Sequence, residues 1–265
     1  MGAIGPADAV ADPAPLLGAN ATLAEIEACT TRNLPESAGV IVFRVDAIDR
    51  SGEVTSSRAE LRWRKDEDAL ARVLLSVSAP ARTAGTALLI VDRESEQPEL
   101  YLRLPSLDRV RRIHGRRLRG PVLGTDFSYE DLQRLREPLE KTDLEVVGLA
   151  EVEGQPAWLL EAVPGDDDDS EYSRVLTYVD QQSCLPLRID LYEGEDRLRK
   201  RLVAPRDEIR SVGDRRLPHE FVMHDLRRET RTVVRIETVD VKPDLPADQF
   251  TRRALQQSRP ADPSR

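Results

Sequence analysis

The stretch RAELRWR, at residues 58–64, alternates charged and apolar side chains with a period of two. In a β-strand this period places Ala59, Leu61 and Trp63 on one face and the charged residues on the other. One apolar face and one wet face are typical of antiparallel sheets, whereas the strands of parallel sheets are buried on both sides. The stretch therefore predicts an antiparallel β-fold.

The same alternation recurs along the chain, for example at residues 73–77 and 187–191, and turn-forming stretches such as EGQ at residues 153–155 separate the runs. From the usual run lengths we expect about eleven strands. A sheet of that length must curl, close or split to bury its apolar face. We therefore predict a mainly β fold (α+β): a strongly curved antiparallel sheet forming an unclosed half-barrel, plugged by a few helices over an apolar cavity.

Two capping boxes predict where helices begin. Thr22 and Glu25 form the first, ahead of a helix of about eleven residues. Ser128 and Asp131 form the second, ahead of a helix that we expect to span Ser128–Arg136.

The second helix is predicted to be a lid over the mouth of the cavity. A hydrophobic staple joins Phe127 to Leu132, and Leu132 and Leu135 then face inward. The opposite face is expected to lie in water and carries charged and polar residues, namely Glu130, Gln133, Arg134 and Arg136.

Composition is that of an ordinary globular chain. The 265 residues are 40% hydrophobic and 33% charged, and 39 Lys plus Arg against 48 Asp plus Glu give a net charge of −9. This acidity disfavours nucleic acid as a partner. We expect a flexible N-terminal arm (1–20), a single domain (21–255) with a last short helix after Pro246, and a disordered tail (256–265).

The common motifs of enzymes and metal sites do not occur. The sequence contains no G-x-S-x-G, no G-x-x-x-x-G-K-[ST] and no G-x-G-x-x-G. His219 and His224 are one residue too far apart for H-E-x-x-H, and at that spacing they point to opposite faces of a strand. Asp166–Asp169 lacks the spacing of a calcium loop and indicates a solvated turn. We therefore expect no metal and no cofactor.

The two cysteines and a cluster of arginines leave alternatives open. Cys29 and Cys184 are either two buried thiols or one disulfide. The arginines form a solvated strand face, an anchor for phosphate or carboxylate head groups, or a docking surface for an acidic partner. They are Arg109, Arg111, Arg112, Arg116, Arg117 and Arg119.

Three strings in the middle of the chain resemble the outer membrane lipoprotein-sorting-protein-like family, which belongs to the LolA-like and LolB-like superfamily of periplasmic carriers. They are GTALL (85–89), LYLRLPSLDRVRRI (100–113) and GTDFSYEDL (124–132). The last is the most specific, and the resemblance extends from about Thr22 to about Val241.

The resemblance implies a monomeric periplasmic protein, here in its mature form without a signal peptide, that performs no catalysis. Its cargo would be a lipid or an acylated protein, and its partner an inner-membrane exporter of the resistance-nodulation-division (RND) superfamily. In an exported protein we expect Cys29 and Cys184 to form a disulfide. The alternative is a periplasmic interaction module that docks a membrane protein through its arginine-rich edge.

The carrier hypothesis points to eight cargo-contacting residues. Five are large apolar residues at strand positions, and their side chains point into the cavity if the strand register is as we infer from the alternation. The other three belong to the predicted lid. They are Leu61, Trp63, Leu89, Leu102 and Trp158, with Phe127, Leu132 and Leu135. For Asp126 and Ser128 in the same motif, a structural role as turn and cap residues is favoured over cargo contact.

Overall fold

The computed structural model describes residues 17–34, 37–65, 71–93, 96–107, 109–136, 139, 144–165, 170–241 and 243–257. Within them lie fifteen strands and three α-helices. The helices are α1 (Leu23–Thr31), α2 (Tyr129–Arg136) and α3 (Arg252–Gln257). The strands are β1 (Ala38–Ile48), β2 (Val54–Lys65), β3 (Ala71–Ala79), β4 (Ala87–Arg93), β5 (Glu96–Leu104), β6 (Arg109–Ile113), β7 (Leu144–Val152), β8 (Gln155–Ala162), β9 (Arg174–Asp180), β10 (Pro186–Glu193), β11 (Arg197–Val203), β12 (Ile209–Val212), β13 (Arg215–Pro218), β14 (Glu220–Asp225) and β15 (Thr230–Asp240).

Thirteen of these strands form one antiparallel sheet in the order β6-β5-β4-β3-β2-β1-β15-β14-β11-β10-β9-β8-β7, and β12 pairs with β13. The edge strands β6 and β7 do not pair, so the sheet is an open half-barrel, which confirms the predicted fold class. The expected eleven strands were too few. The strands β6, β12 and β13 have only four or five residues, and their arginines conceal the alternation.

Both predicted capping boxes are present. The Thr22 hydroxyl accepts from the Glu25 amide and the Glu25 carboxylate accepts from the Thr22 amide, at the start of a helix of nine residues. At α2 the Ser128 amide donates to Asp131 at 2.7 Å and the Asp131 amide donates to the Ser128 hydroxyl at 3.1 Å. None of the described helices is long and apolar enough to cross a membrane.

The face of the sheet against which α1 and α2 pack is called the inner face. It carries two apolar clusters, which both contact Leu132 of α2. The first-half cluster, on β1–β6, has the buried residues Trp63, Val73, Leu88, Ile90, Leu100, Ile113, Val122 and Tyr129. The second-half cluster, on β7–β11, β14 and β15, is built around Ile26, Cys29, Phe127, Trp158, Leu160, Val179, Leu202 and Met223.

The opposite, outer face of the first half is covered by the C-terminal segment. Phe250 and Leu255, both at most 2% exposed, pack against Leu89 and Val91 of β4. The Arg64 guanidinium donates to a backbone carbonyl of the same segment at 2.7 Å. The predicted helix after Pro246 is thus a 3₁₀ turn followed by α3, and it closes the outer core.

A disulfide fastens α1 to the sheet. Cys29 of α1 is bonded to Cys184 in the turn between β9 and β10, with their Cα atoms 5.6 Å apart, which confirms the predicted pairing. Beside it, the Asn33 side chain donates to the Ser183 carbonyl at 2.9 Å. The N-terminal helix is therefore held both covalently and by hydrogen bonds.

Candidate functional site on the inner face

A row of apolar side chains crosses the inner face of the first half. Directly opposed residues of antiparallel neighbours point to the same face, and the register aligns one residue from each of five strands. This apolar row consists of Ile41, Leu61, Leu75, Leu88 and Leu102. Leu88 is buried, whereas the other four are only partly covered.

The apolar row ends at a positive charge. Leu102 of β5 is opposed by Arg111 of β6, and β6 is the edge of the sheet. Arg111 is exposed and lies on the inner face because it shares the face of its cross-strand partner. The partly covered surface therefore runs from Ile41 to a cationic rim.

A second, fully buried row lies beside the first. It consists of Gly39, Trp63, Val73, Ile90, Leu100 and Ile113. Gly39 is required there, because a Cβ atom at this position would lie 1.9 Å from the Trp63 ring. The indole therefore covers the backbone of β1 and forms part of the floor of the site.

The structure divides the predicted cargo residues between the two clusters. Leu61, Trp63 and Leu102 lie together in the first-half cluster, and Leu132 contacts both clusters. Phe127, Trp158 and Leu135 belong to the second-half cluster or pack against it.

Leu89 does not join either inner cluster. It lies on the outer face under Phe250, while its neighbours Leu88 and Ile90 face inward. The prediction that Leu89 shares the face of Trp63 is wrong. Because β4 is apolar on both faces, its sequence contains no alternation from which the orientation could be determined.

The inner face of the second half is filled by protein. Trp158, Leu160 and Val179 are completely buried, and so is Ile26 of α1, which packs against them. The Trp158 indole nitrogen donates to the Gly18 carbonyl at 3.3 Å. At the edge of this half, Val146 and Leu149 of β7 oppose Leu160 and Trp158 and are 36% and 56% exposed, so exposed apolar side chains also occur on the inner face of the second half.

Helix α2 is attached to the sheet by a buried ionic contact. The Asp131 carboxylate accepts from Lys200 of β11 at 2.8 Å and from the Tyr172 hydroxyl at 2.7 Å, in addition to capping Ser128. Lys200 lies on the inner face because it directly opposes Leu191 of β10, and a β-bulge lies next to it at Arg199. Sequence reasoning missed Lys200 and Tyr172, which lie far from the motif along the chain.

The charged face of α2 does not lie in water, contrary to our prediction. Glu130 and Arg134 form an ion pair at 2.9 Å, each with an 11% exposed side chain, and Glu130 also accepts from the Glu171 amide at 3.1 Å. The segment at residues 170–172 covers this side of the helix, which a pattern in the helix alone does not reveal. The side chains of Gln133 and Arg136 lie outside the described residues.

Asp126 has a structural role in the GTDFSYEDL motif. Its carboxylate accepts from the hydroxyls of Thr230 and Thr232 on β15, the latter at 2.7 Å, and its amide donates to Thr232 at 2.9 Å. Asp126, Glu130 and Asp131 thus bind other parts of the protein, whereas Ser128 caps the helix. The motif fixes α2 in place over the junction of the two clusters.

Burial shifts the pKa of the groups around α2. Burial, followed by the nearby carboxylate of Asp131, raises the pKa of Tyr172 far above its ordinary value, so that it remains a hydrogen-bond donor. Burial also raises the pKa of Glu171, although Lys200 opposes the shift. The Lys200 ammonium lies 2.8 Å from Asp131 and 3.7 Å from Glu171, so Asp131 is its nearer carboxylate.

The arginine cluster forms the β6 edge and the 3₁₀ turn at Gly115–Arg119. Arg109, Arg111 and Arg112 are exposed, and Arg112 forms an ion pair with Glu99 at 3.2 Å. Arg117 and Arg119 are exposed in the turn, whereas the side chain of Arg116 lies outside the described residues. Charge along an edge strand also prevents unwanted strand pairing.

The candidate metal sites give no cluster of ligands. His219 forms a contact of 3.0 Å with the Leu217 carbonyl, and burial, followed by two nearby arginines, lowers the pKa of His224. In the part of the chain that the structure describes, no three His, Cys, Asp or Glu side chains are grouped to hold an ion. Asp166–Asp169 lies outside the described residues.

A family model described as "uncharacterized protein" (DUF1329) matches residues 70–257, which is more than two thirds of the chain. The chain belongs to the LolA-like family. No curated protein matches this LolA-like chain.

Solved structures with the same fold include three that cover almost the whole of the LolA-like chain. A domain named as an outer membrane lipoprotein-sorting protein, from Vibrio parahaemolyticus, has a TM-score of 0.80 and 22% identity, covering 91% of this chain and 100% of its own. A DUF1329 family protein from Desulfovibrio piger has a TM-score of 0.79 and 22% identity, covering 88% and 99%. A LolA superfamily protein from Nitrosomonas europaea has a TM-score of 0.69 and 18% identity, covering 88% and 99%. At these identities the likeness establishes only the fold of this chain.

Proposed function

We propose that this LolA-like protein is a periplasmic carrier that binds a lipid or an acylated protein on the inner face of its half-barrel and performs no catalysis. The observation that carries the proposal is the apolar row, four of whose five residues are only partly covered by protein. Each CH₂ group that moves from water onto such a surface gains about 0.8 kcal/mol. An acyl chain is the ligand class that gains most from a continuous apolar row.

The position of the row supports binding in the first half of the sheet. In the second half, α1 and residues such as Trp158 fill the centre of the inner face, and exposed apolar residues lie on the edge strand β7. The predicted cargo residues that remain candidates are Leu61, Trp63 and Leu102. Leu132 contacts both clusters and lies above the junction between them. Ile41 and Leu75 join them, since the register places them in the same row.

Two measurements test the carrier function. Mass spectrometry of organic extracts of the purified protein should reveal stoichiometric lipid, and a dansylated fatty acid should bind saturably with energy transfer from tryptophan. A protein that yields no lipid and does not bind the probe would contradict the proposal.

A matched pair of variants tests the location of the site. Leu75 and Leu74 are neighbours on β3, both partly buried, but Leu75 packs in the inner cluster and Leu74 against the outer core. We expect Leu75→Gln to weaken binding of the dansylated fatty acid about tenfold or more, because it places an amide in the apolar row. Leu74→Gln should leave the affinity unchanged. Equal effects of the two substitutions would place the site elsewhere.

The proposed protein partner is an inner-membrane exporter of the RND superfamily, to which the carrier would be an accessory. A second candidate function is a docking module without cargo, and the exposed arginines on an edge strand of an acidic protein favour it. Replacing Arg109, Arg111 and Arg112 by Glu distinguishes the two. If the variant no longer binds the membrane protein and the wild type carries no lipid, the docking module is supported. If the wild type binds lipid, the carrier is supported.

A further inference from the structure

The two edge strands of the thirteen-stranded sheet, β6 and β7, carry charges of opposite sign. The charged residues of β6 are all basic and exposed, and those of β7 are all acidic and exposed. They are Arg109, Arg111 and Arg112 on β6, and Glu145 and Glu151 on β7. Each edge of the open half-barrel therefore presents a single sign of charge.

The β7 edge also exposes apolar side chains, which natural edge strands usually avoid. Val146, Val147 and Leu149 are 36%, 45% and 56% exposed. They are three of the seven large apolar residues that are exposed in the described part of the chain, so these residues are concentrated on one strand. An edge strand with exposed apolar side chains is a template on which another strand can pair.

Neither edge is suited to pair with an identical edge of a second copy. Two antiparallel β7 strands centred on Gly148 would place Glu145 of one copy directly opposite Glu151 of the other. Two β6 strands centred on Arg111 would place this arginine opposite itself. Like charges directly opposite each other destabilise strand pairing, whereas opposite charges stabilise it. The charge of each edge therefore excludes an identical edge and favours the other edge.

We propose that β7 of one copy pairs with β6 of a second copy, so that the protein associates head to tail. All neighbouring strands from β6 to β7 are antiparallel, and these two are the first and the last of thirteen, so they run in the same direction. A second copy beside the first therefore continues the sheet with its inner face on the same side. Such a contact uses two different surfaces and produces a ring if the rotation closes, or an open chain if it does not.

Three kinds of contact stabilise this interface. The backbone N–H and C=O groups at the two edges complete one ladder, the guanidinium groups of β6 meet the carboxylates of β7, and the second copy covers the apolar side chains of β7. Because β6 has only five residues, the interface is short, and we expect a dissociation constant on the order of 100 μM. The association does not depend on the carrier function, and it departs from the monomer that the family resemblance implies.

Analytical ultracentrifugation of the full chain tests the association. At low ionic strength and protein concentrations up to about 0.5 mM, the wild type should form dimers or larger species. Raising the salt from about 0.05 M to about 0.5 M should weaken the association about tenfold or more, because salt screens exposed charges. A wild type that stays monomeric at every concentration at low ionic strength would overturn the inference.

A pair of charge-reversal variants tests which edges meet. The acidic-edge variant has Glu in place of Arg109, Arg111 and Arg112, and the basic-edge variant has Arg in place of Glu145 and Glu151. Each variant alone has two edges of the same sign and should be monomeric, with the melting temperature of the wild type. An equimolar mixture should associate again, because each edge then finds an edge of opposite charge. Variants that associate alone, or a mixture of folded variants that stays monomeric, would contradict the head-to-tail contact.

Controls matched in charge and in exposure complete the test. A variant with Glu at three exposed arginines outside the edge strands has the same net charge as the acidic-edge variant and should associate like the wild type. These arginines are Arg50, Arg82 and Arg210.

Leu149→Gln removes an exposed apolar side chain from β7 without burying a polar group, and it should weaken the association about tenfold. Leu226→Gln, at a residue 46% exposed in the turn between β14 and β15, should leave the association unchanged. Equal effects of these two substitutions, or of the two arginine variants, would place the contact away from the edges and overturn the inference.

Discussion

The Lys200 ammonium lies 2.8 Å from the Asp131 carboxylate, and the two side chains are 5% and 1% exposed. The contact joins β11 to the first turn of α2 across 69 residues of sequence. Because both charges are removed from water, each depends on the other for compensation.

We expect Lys200→Met to lower the free energy of unfolding by about 3 to 5 kcal/mol, since it leaves Asp131 as an uncompensated buried charge. Urea unfolding at neutral pH measures this change. Arg197→Met is the control, because Arg197 lies on the same strand as Lys200 and pairs with Glu193, but its side chain is 69% exposed. We expect this substitution to lower the free energy of unfolding by less than about 1 kcal/mol. Similar losses in the two variants would show that α2 does not depend on the buried pair.

The attachment of α2 also bears on whether this helix is a lid. Leu135 packs against the second-half cluster. The hydrogen bond from the Glu171 amide to Glu130 and the ionic contact of Asp131 with Lys200 hold the helix to the protein. We expect Leu135→Glu to cost about 2 to 4 kcal/mol of stability, as for a carboxylate placed against a packed core. Leu226→Glu, at a residue 46% exposed, should be nearly neutral. Weaker retention of a dansylated fatty acid with an unchanged urea midpoint would restore the lid hypothesis.

Gly39 and Trp63 form a cross-strand pair in which the indole takes the place of a side chain. We expect Gly39→Ala to displace the ring, to cost about 1 to 3 kcal/mol and to shift the tryptophan emission. The same substitution in a Trp63→Leu background should cost clearly less, which a double-mutant cycle of unfolding free energies measures. Additive effects would mean that the glycine is needed for another reason.

The carboxyl group of Asp190 should make the free energy of unfolding depend on pH in the acid range. Burial alone would raise the pKa of this carboxyl, but hydrogen bonds from Arg188 and Arg201 outweigh it and hold the pKa below its ordinary value. In the unfolded chain the pKa of this carboxyl is about 3.9, and above that pH the ionised Asp190 stabilises the fold fully. This stabilisation is lost as the pH falls through the lower pKa of the folded state.

Urea midpoints measured from neutral pH to about pH 3 should fall in the acid range, and less steeply in Asp190→Asn than in the wild type. Asp196→Asn is the control, because Asp196 is 69% exposed. An unchanged slope in Asp190→Asn would assign the acid sensitivity to other carboxyl groups.

The disulfide between Cys29 and Cys184 closes a loop of 155 residues. In the chain-entropy model, closing so long a loop stabilises the folded state by about 5 kcal/mol. We expect the oxidised protein to resist alkylation and to lose most of this stability on reduction, as intact mass and urea unfolding with and without a reductant would reveal. Two alkylated cysteines in unreduced, oxidatively folded protein would contradict the bond.

The sequence predicted those features of this protein that depend on a few neighbouring residues. The capping boxes at Thr22 and Ser128 were recognisable because their partners lie three residues away. The antiparallel class followed from alternation in strands such as β2, which have one buried and one wet face. The motif at residues 124–132 was sufficient to indicate the family.

The tertiary structure decided what depends on contacts between distant segments. The orientation of Leu89 could not be predicted, because the C-terminal segment buries the second face of β4 and removes the alternation. The burial of Glu130 depends on the segment at residues 170–172. Trp63 and Tyr129 share one cluster because the strand register and the position of α2 bring distant segments together. Local patterns determine which residues form strands and helices, whereas the identity of the partner across the sheet is set by packing of the whole chain.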